Sequence, residues 1–103
     1  IINFNSLLYK RMIAEILIML IIDLDKDYIK IDFEKFINLN DLIAEKIVKK
    51  IYRFFYDENF FLRSKKIVTF IKEIHSFTFK TFKLGKIIIK KRGDSLIFFK
   101  ISN

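Results

Sequence analysis

In SFTFKTFKLGKIIIKKRGDSLIFFKI, residues 76–101, the apolar side chains abandon helical spacing and alternate at period two. Phe77-Thr78-Phe79 and Phe82-Lys83-Leu84 lead to Gly85, and Lys86–Lys91 and Leu96–Ile101 read as two strands. Arg92-Gly93-Asp94-Ser95 is the turn between them, because Gly93 takes positive φ without a steric cost. A C-terminal β-hairpin is expected. Lys90, Lys91 and Arg92 crowd its tip, where they suit either a phosphate backbone or the plainer task of keeping an edge strand from aggregating.

Upstream, the spacing changes to three and four. Ile67, Phe70, Ile71 and Ile74 share one side of a helix expected over about Arg63–His75. Arg63, Lys65 and Lys66 stand at its start, where the helix dipole disfavours cations and a bound anion would offset the misplacement. His75, near the helix end, reads as a capping or packing residue rather than a catalytic one. Phe60-Phe61-Leu62 reads as buried packing at a corner after Asp57-Glu58-Asn59.

The preceding helix, about Asp41–Tyr56, directs Ile43, Ile47, Ile51, Phe54 and Phe55 toward a core. On another side Lys46, Lys49, Lys50 and Arg53 follow i, i+3, i+4, i+7 and form a cationic stripe. Like charges so placed cost an isolated helix a few tenths of a kcal/mol per pair, so a stripe kept despite repulsion fits phosphate binding. The bland alternative is a solvated face in a lysine-rich chain. Asn38 or Asn40 is positioned to cap this helix, and Asp41 favours its positive end.

Nearer the N-terminus, Ile29, Ile31 and Phe33 alternate in a short strand, with Glu34–Asn38 as one helical turn after it. Asp23–Lys26 reads as a polar connection. A first helix is expected from a cap at Asn5 or Ser6 through Leu7–Ile22; Ile16–Ile22 is apolar on every face, so this helix is either central or meets a missing domain. A membrane span is disfavoured. Only seven uninterrupted apolar residues lie between Glu15 and Asp23, whereas a span needs about 20. The expected architecture is α+β: three helices, a short strand and a C-terminal β-hairpin. Residues 1–26 read as a helical linker toward a missing N-terminal domain and residues 27–103 as a small α+β accessory domain.

Composition narrows the chemistry. With no Cys and one His among 103 residues, disulfide scaffolds, zinc fingers, iron–sulfur clusters and thiol catalysis are excluded. Twenty Lys+Arg against twelve Asp+Glu give +8, which favours polyanions; yet only four are Arg, and abundant Lys, Ile, Phe and Asn fit an AT-rich genome, so position counts for more than total. The first residue is Ile rather than Met and no leader-like segment stands there, which reads as an excised fragment without a secretory signal. Arg92-Gly93-Asp94 carries no weight as an adhesion tripeptide. Two glycines are too few for a phosphate-cradling loop, and neither a P-loop, a dinucleotide fingerprint nor an acid/base pair of carboxylates is visible.

The motifs Phe33-x-x-Phe36, Leu39-x-x-Leu42, Ile47-x-x-x-Ile51, Leu84-Gly85 and Arg92-Gly93-x-x-Leu96, in this order of elements, give the chain a family likeness. Over most of Asp27–Ile101 it resembles the region that follows the catalytic domain of bacterial tRNA(Ile)-lysidine synthetase. It departs from that pattern where Leu84 replaces a common proline and Arg92 a common aromatic residue. The resemblance implies a parent enzyme that uses ATP to adenylate a wobble cytidine of tRNA(Ile) and then joins lysine to it. That chemistry belongs to another domain, since the family's Ser-Gly-Gly-x-Asp-Ser loop is absent, and no cofactor or catalytic residue is expected within these residues. The expected partners are tRNA and the missing catalytic domain, with no membrane, in a bacterial cytoplasm. Lys46, Lys49, Lys50 and Arg53, then Lys65, Lys66, Lys90, Lys91 and Arg92, are the candidate RNA-binding residues. Two alternatives share the element order or the apolar faces: a winged-helix DNA-binding domain, with Arg63–His75 as recognition helix and Lys90–Ser95 as wing, and a structural protein-interaction module.

Overall fold

A computed structural model describes residues 4–56 and 64–101. The chain runs α1 (Phe4–Leu20), β1 (Ile21–Leu24), β2 (Tyr28–Asp32), α2 (Phe33–Ile37), α3 (Asp41–Phe55), α4 (Ser64–Ile74), β3 (Thr81–Leu84), β4 (Ile87–Arg92) and β5 (Ser95–Lys100). The strands form one five-stranded sheet in the order β1-β2-β5-β4-β3, antiparallel throughout. The fold is α+β, as the change of period implies.

Local chemistry sets the element ends. Asp32 ends β2 and caps α2, its carboxylate accepting the Lys35 N–H at 3.0 Å, so Phe33 leaves the strand it was expected to finish. The Asn40 side chain accepts the Leu42 N–H at 2.8 Å and so starts α3. The β3–β4 and β4–β5 turns each use a glycine in the left-handed region, Gly85 at φ 57° and Gly93 at φ 58°. Between β4 and β5 the register is Arg92↔Ser95 and Lys91↔Leu96, which makes Gly93-Asp94 a two-residue turn.

Three expectations are revised. The first helix stops at Leu20, and Ile21–Leu24, read as helix end and polar connection, is an edge strand whose Ile21 lies opposite Ile31 and whose Asp23 lies opposite Lys30. Two β-branched residues at its start favour extended backbone once β2 is there to pair with. The expected short strand is therefore one half of a hairpin that joins the two sides of residue 26. Second, Phe77-Thr78-Phe79 is a turn: Phe79 N–H donates to Ser76 O at 3.1 Å, Phe79 is buried and Phe77 is fully exposed. Alternating aromatics in a run that short do not separate strand from turn. Third, Phe54 is exposed, while Ala44, Val48 and Tyr52 join Ile47, Ile51 and Phe55 in the core. The apolar expectations for Ile67, Phe70, Ile71 and Ile74 hold, for all four are buried. Arg63, Phe60-Phe61-Leu62 and Asp57-Glu58-Asn59 lie outside the described residues.

The core lies between the helices and one face of the sheet. Phe70 of α4 sits at its centre, with ring centroids 6.3 Å from Phe36 of α2, 5.4 Å from Phe82 of β3 and 6.3 Å from Phe98 of β5. Tilted and edge-on ring pairs of this kind add about 0.5–1.5 kcal/mol each beyond their buried area. α1 packs against α3 and contributes Ile13 and Leu20 to the same core. Among the described residues no helix is long and apolar enough to cross a membrane.

Candidate nucleic-acid interface

α3 is amphipathic because Ala44, Ile47, Val48, Ile51, Tyr52 and Phe55 fall on one buried side. That burial fixes the helix rotation and turns Lys46, Lys50 and Arg53 outward, with Lys49 half-buried beside them. α1 then docks alongside, and the two helices bound a cleft of about 350 Å³ lined by Tyr9, Lys10 and Ile13 of α1 and by Lys46, Lys49, Lys50 and Arg53 of α3. Every cation of the expected stripe reaches this one cleft.

Among the described residues a single carboxylate tempers it. Glu45 Oε1 lies 3.6 Å from Lys49 Nζ, a pair in the favourable order with the acid one turn N-terminal to the base. Against that attraction stand the i, i+3 and i, i+4 repulsions among Lys46, Lys49, Lys50 and Arg53, to which Lys10 adds a fifth positive charge from the facing helix. Low-dielectric walls around such a cleft focus its field outward and concentrate anions there. Tyr9 supplies the aromatic ring in the lining.

The other five candidates lie elsewhere. Lys65 and Lys66 are exposed on the first turn of α4, and neither lines the cleft. Lys90, Lys91 and Arg92 end β4, where strand alternation splits them between the two faces of the sheet. Lys90 Nζ lies 5.7 Å from the Phe99 ring centre on one face, and Lys91 Nζ lies 4.3 Å from that of Phe33 on the other. The nine candidates therefore form one tight group and separate smaller ones. Lys91 over Phe33 is a cation–π contact worth about 0.5–1 kcal/mol where exposed, which gives that lysine a packing role of its own.

Sequence reading missed Lys10 and Tyr9, whose membership depends on how α1 crosses α3. Nothing in their local spacing marks it. It also passed over Tyr28, whose hydroxyl donates to Asp23 Oδ2 at 2.6 Å across the β1–β2 hairpin. This hydrogen bond holds the Asp23 carboxyl below the usual carboxylate range, helped by the Leu24 N–H, and raises the Tyr28 phenol. Burial raises the Tyr56 phenol, whose hydroxyl donates to Lys86 O at 2.9 Å. Among the described residues no group of three or more His, Asp or Glu is placed to hold a metal ion. Compared with known proteins, the chain matches no family model, no curated protein and no solved structure.

Proposed function

We propose that this chain binds tRNA as the accessory region of a bacterial, cytoplasmic tRNA(Ile)-lysidine synthetase, with ATP use and lysine transfer carried by another domain of the parent enzyme. The observation that carries the RNA-binding half of this reading is the convergence of Lys10, Lys46, Lys49, Lys50 and Arg53 on one cleft where, among the described residues, Glu45 is the single carboxylate paired to them. Structured RNA is held largely through phosphate, shape and 2′-hydroxyl contacts, and a row of flexible ammonium groups beside one guanidinium suits that task. The lysidine synthetase half rests on the motif resemblance over Asp27–Ile101.

A winged-helix reading on duplex DNA is less well supported. The α4 sequence, SKKIVTFIKEI, has no Arg, Asn or Gln to read base edges, and the turn that would form the wing is only Gly93-Asp94.

The test is affinity for an unmodified tRNA(Ile) transcript as a function of salt, with duplex DNA as comparison. Replacing Lys46, Lys49, Lys50 and Arg53 together by Ala weakens tRNA binding and lowers the log–log salt slope by about 0.7–0.9 for each phosphate no longer neutralised. A slope identical to that of the unaltered chain removes the cleft from the interface. Tighter binding to duplex DNA than to tRNA overturns the tRNA assignment.

A further inference from the structure

The sheet has a second face. α2 and α4 pack its inner side through Phe36 and Phe70, whereas Tyr28, Lys30, Ile88, Lys90, Ile97 and Phe99 are half-buried on the outer side. Registry arranges them in rows. Tyr28 lies opposite Phe99, Phe99 opposite Ile88 and Ile88 opposite Lys83; in the next row Lys30 lies opposite Ile97 and Ile97 opposite Lys90. The Tyr28 and Phe99 rings are 6.2 Å apart and tilted by 46°, side by side at the middle of the sheet. Arg92 ends the face on β4, opposite Ser95.

Charge says what would cover it. Three carboxylates, Asp23, Asp25 and Asp32, border the face, and each accepts from a local donor: Asp23, which also faces Lys30 across the β1–β2 pair, from the Tyr28 hydroxyl and the Leu24 N–H, Asp25 from the Asp27 N–H, and Asp32 from the Lys35 N–H. Lys30, Lys83, Lys90 and Arg92 have no carboxylate within 4.0 Å among the described residues. Two adjacent rings on a face that also carries Lys30, Lys83, Lys90 and Arg92 match the demands of an unpaired polynucleotide: bases stack on the rings and phosphates meet the cationic groups. Base faces in a helical stem are already stacked on one another, so a paired stem has none to offer.

We propose that the outer face of the sheet, centred on Tyr28 and Phe99, binds a short stretch of unpaired RNA. It does so from the side of the sheet away from the α1–α3 cleft. The inference deepens the RNA-binding reading and rests on it. In this arrangement the cleft grips phosphates of the folded RNA while the sheet stacks on bases from an unpaired segment.

The test uses fluorescein-labelled decauridylate and the full chain, read by fluorescence polarisation across a salt series, with the tRNA transcript in parallel. Phe99→Leu and Tyr28→Leu each weaken decauridylate binding by about five-fold or more, as expected for removing one stacked base, and leave the salt slope unchanged. Lys83→Ala, at an exposed edge position where the fold tolerates change, weakens binding and lowers the slope by about 0.7. The proposal is overturned if all three variants bind decauridylate like the unaltered chain. It is equally overturned if the chain binds tRNA through the cleft but shows no affinity for decauridylate, an outcome that leaves the cleft reading intact. Failure to bind either RNA ends both readings. Loss of a dimer in Phe99→Leu by light scattering, with RNA binding unchanged, assigns the face to a second copy of the chain instead.

Discussion

At Gly85 two constraints meet on one residue. Its φ of 57° lies where a Cβ is disfavoured, and an added Cβ would stand 2.6 Å from the Tyr52 hydroxyl oxygen. That hydroxyl accepts the Lys86 N–H at 3.0 Å, so it cannot retreat without giving up the bond that ties α3 to the β3–β4 turn. Gly85→Ala is therefore expected to cost about 1–2 kcal/mol in backbone strain and about 1 kcal/mol more in the broken hydrogen bond. Gly93→Ala has a similar φ but nothing within 4 Å, so it should cost only the strain. Chemical denaturation of the two variants checks the ordering, and equal destabilisation would mean that Tyr52 yields freely. The sequence marks both glycines as turn residues by their flanking alternation. It does not distinguish them, because the difference lies in a tyrosine more than thirty positions upstream.

Among the elements, α3 carries the most information in its own spacing, and the cleft shows where that information stops. The i, i+3, i+4, i+7 pattern places Lys46, Lys49, Lys50 and Arg53 on one side whatever the helix packs against, and all four line the cleft. Lys10 and Tyr9 join them only through tertiary docking of α1, and the outer sheet face exists only through strand registry; neither follows from local period. The same distinction explains β1, since Ile21-Ile22-Asp23-Leu24 continues an apolar helical run and becomes a strand only because β2 offers an edge. Within α3, Glu45 is the acid paired to the stripe, and its removal tests the sign of the electrostatic argument. Glu45→Gln keeps the side-chain shape and frees Lys49, so RNA affinity should rise and the salt slope should steepen by up to about 0.9. The same substitution forfeits about 0.3–0.5 kcal/mol of helix pairing, a change small enough to leave the fold intact. Unchanged or weaker RNA binding in Glu45→Gln, measured beside the unaltered chain, would mean that Lys49 does not contact phosphate.

For the whole molecule the question is whether residues before β2 form an appendage or part of the fold. Ile13 and Leu20 are buried in the same cluster as Ile47, Ile51 and Phe98, with Ile16, Leu17 and Ile21 packed against it. β1 covers the edge of β2, which otherwise presents unpaired backbone groups to solvent. Removing residues 1–24 strips two buried aliphatic side chains, together worth about 3–6 kcal/mol at the usual 1.5–3 kcal/mol each, and bares that edge. A domain of this size has about 5–15 kcal/mol in all. The shortened chain should therefore lose most of its cooperative thermal transition and self-associate, as read by circular dichroism melting and light scattering. It should also lose tRNA affinity when held folded at low temperature, because Lys10 and the α1 wall of the cleft are gone. A sharp melt at the temperature of the full chain would instead make the first 24 residues a separable linker, as their helical pattern suggests on its own, and α3 alone would then have to account for binding. The two outcomes differ because burial, unlike spacing, is a property of what the helix meets.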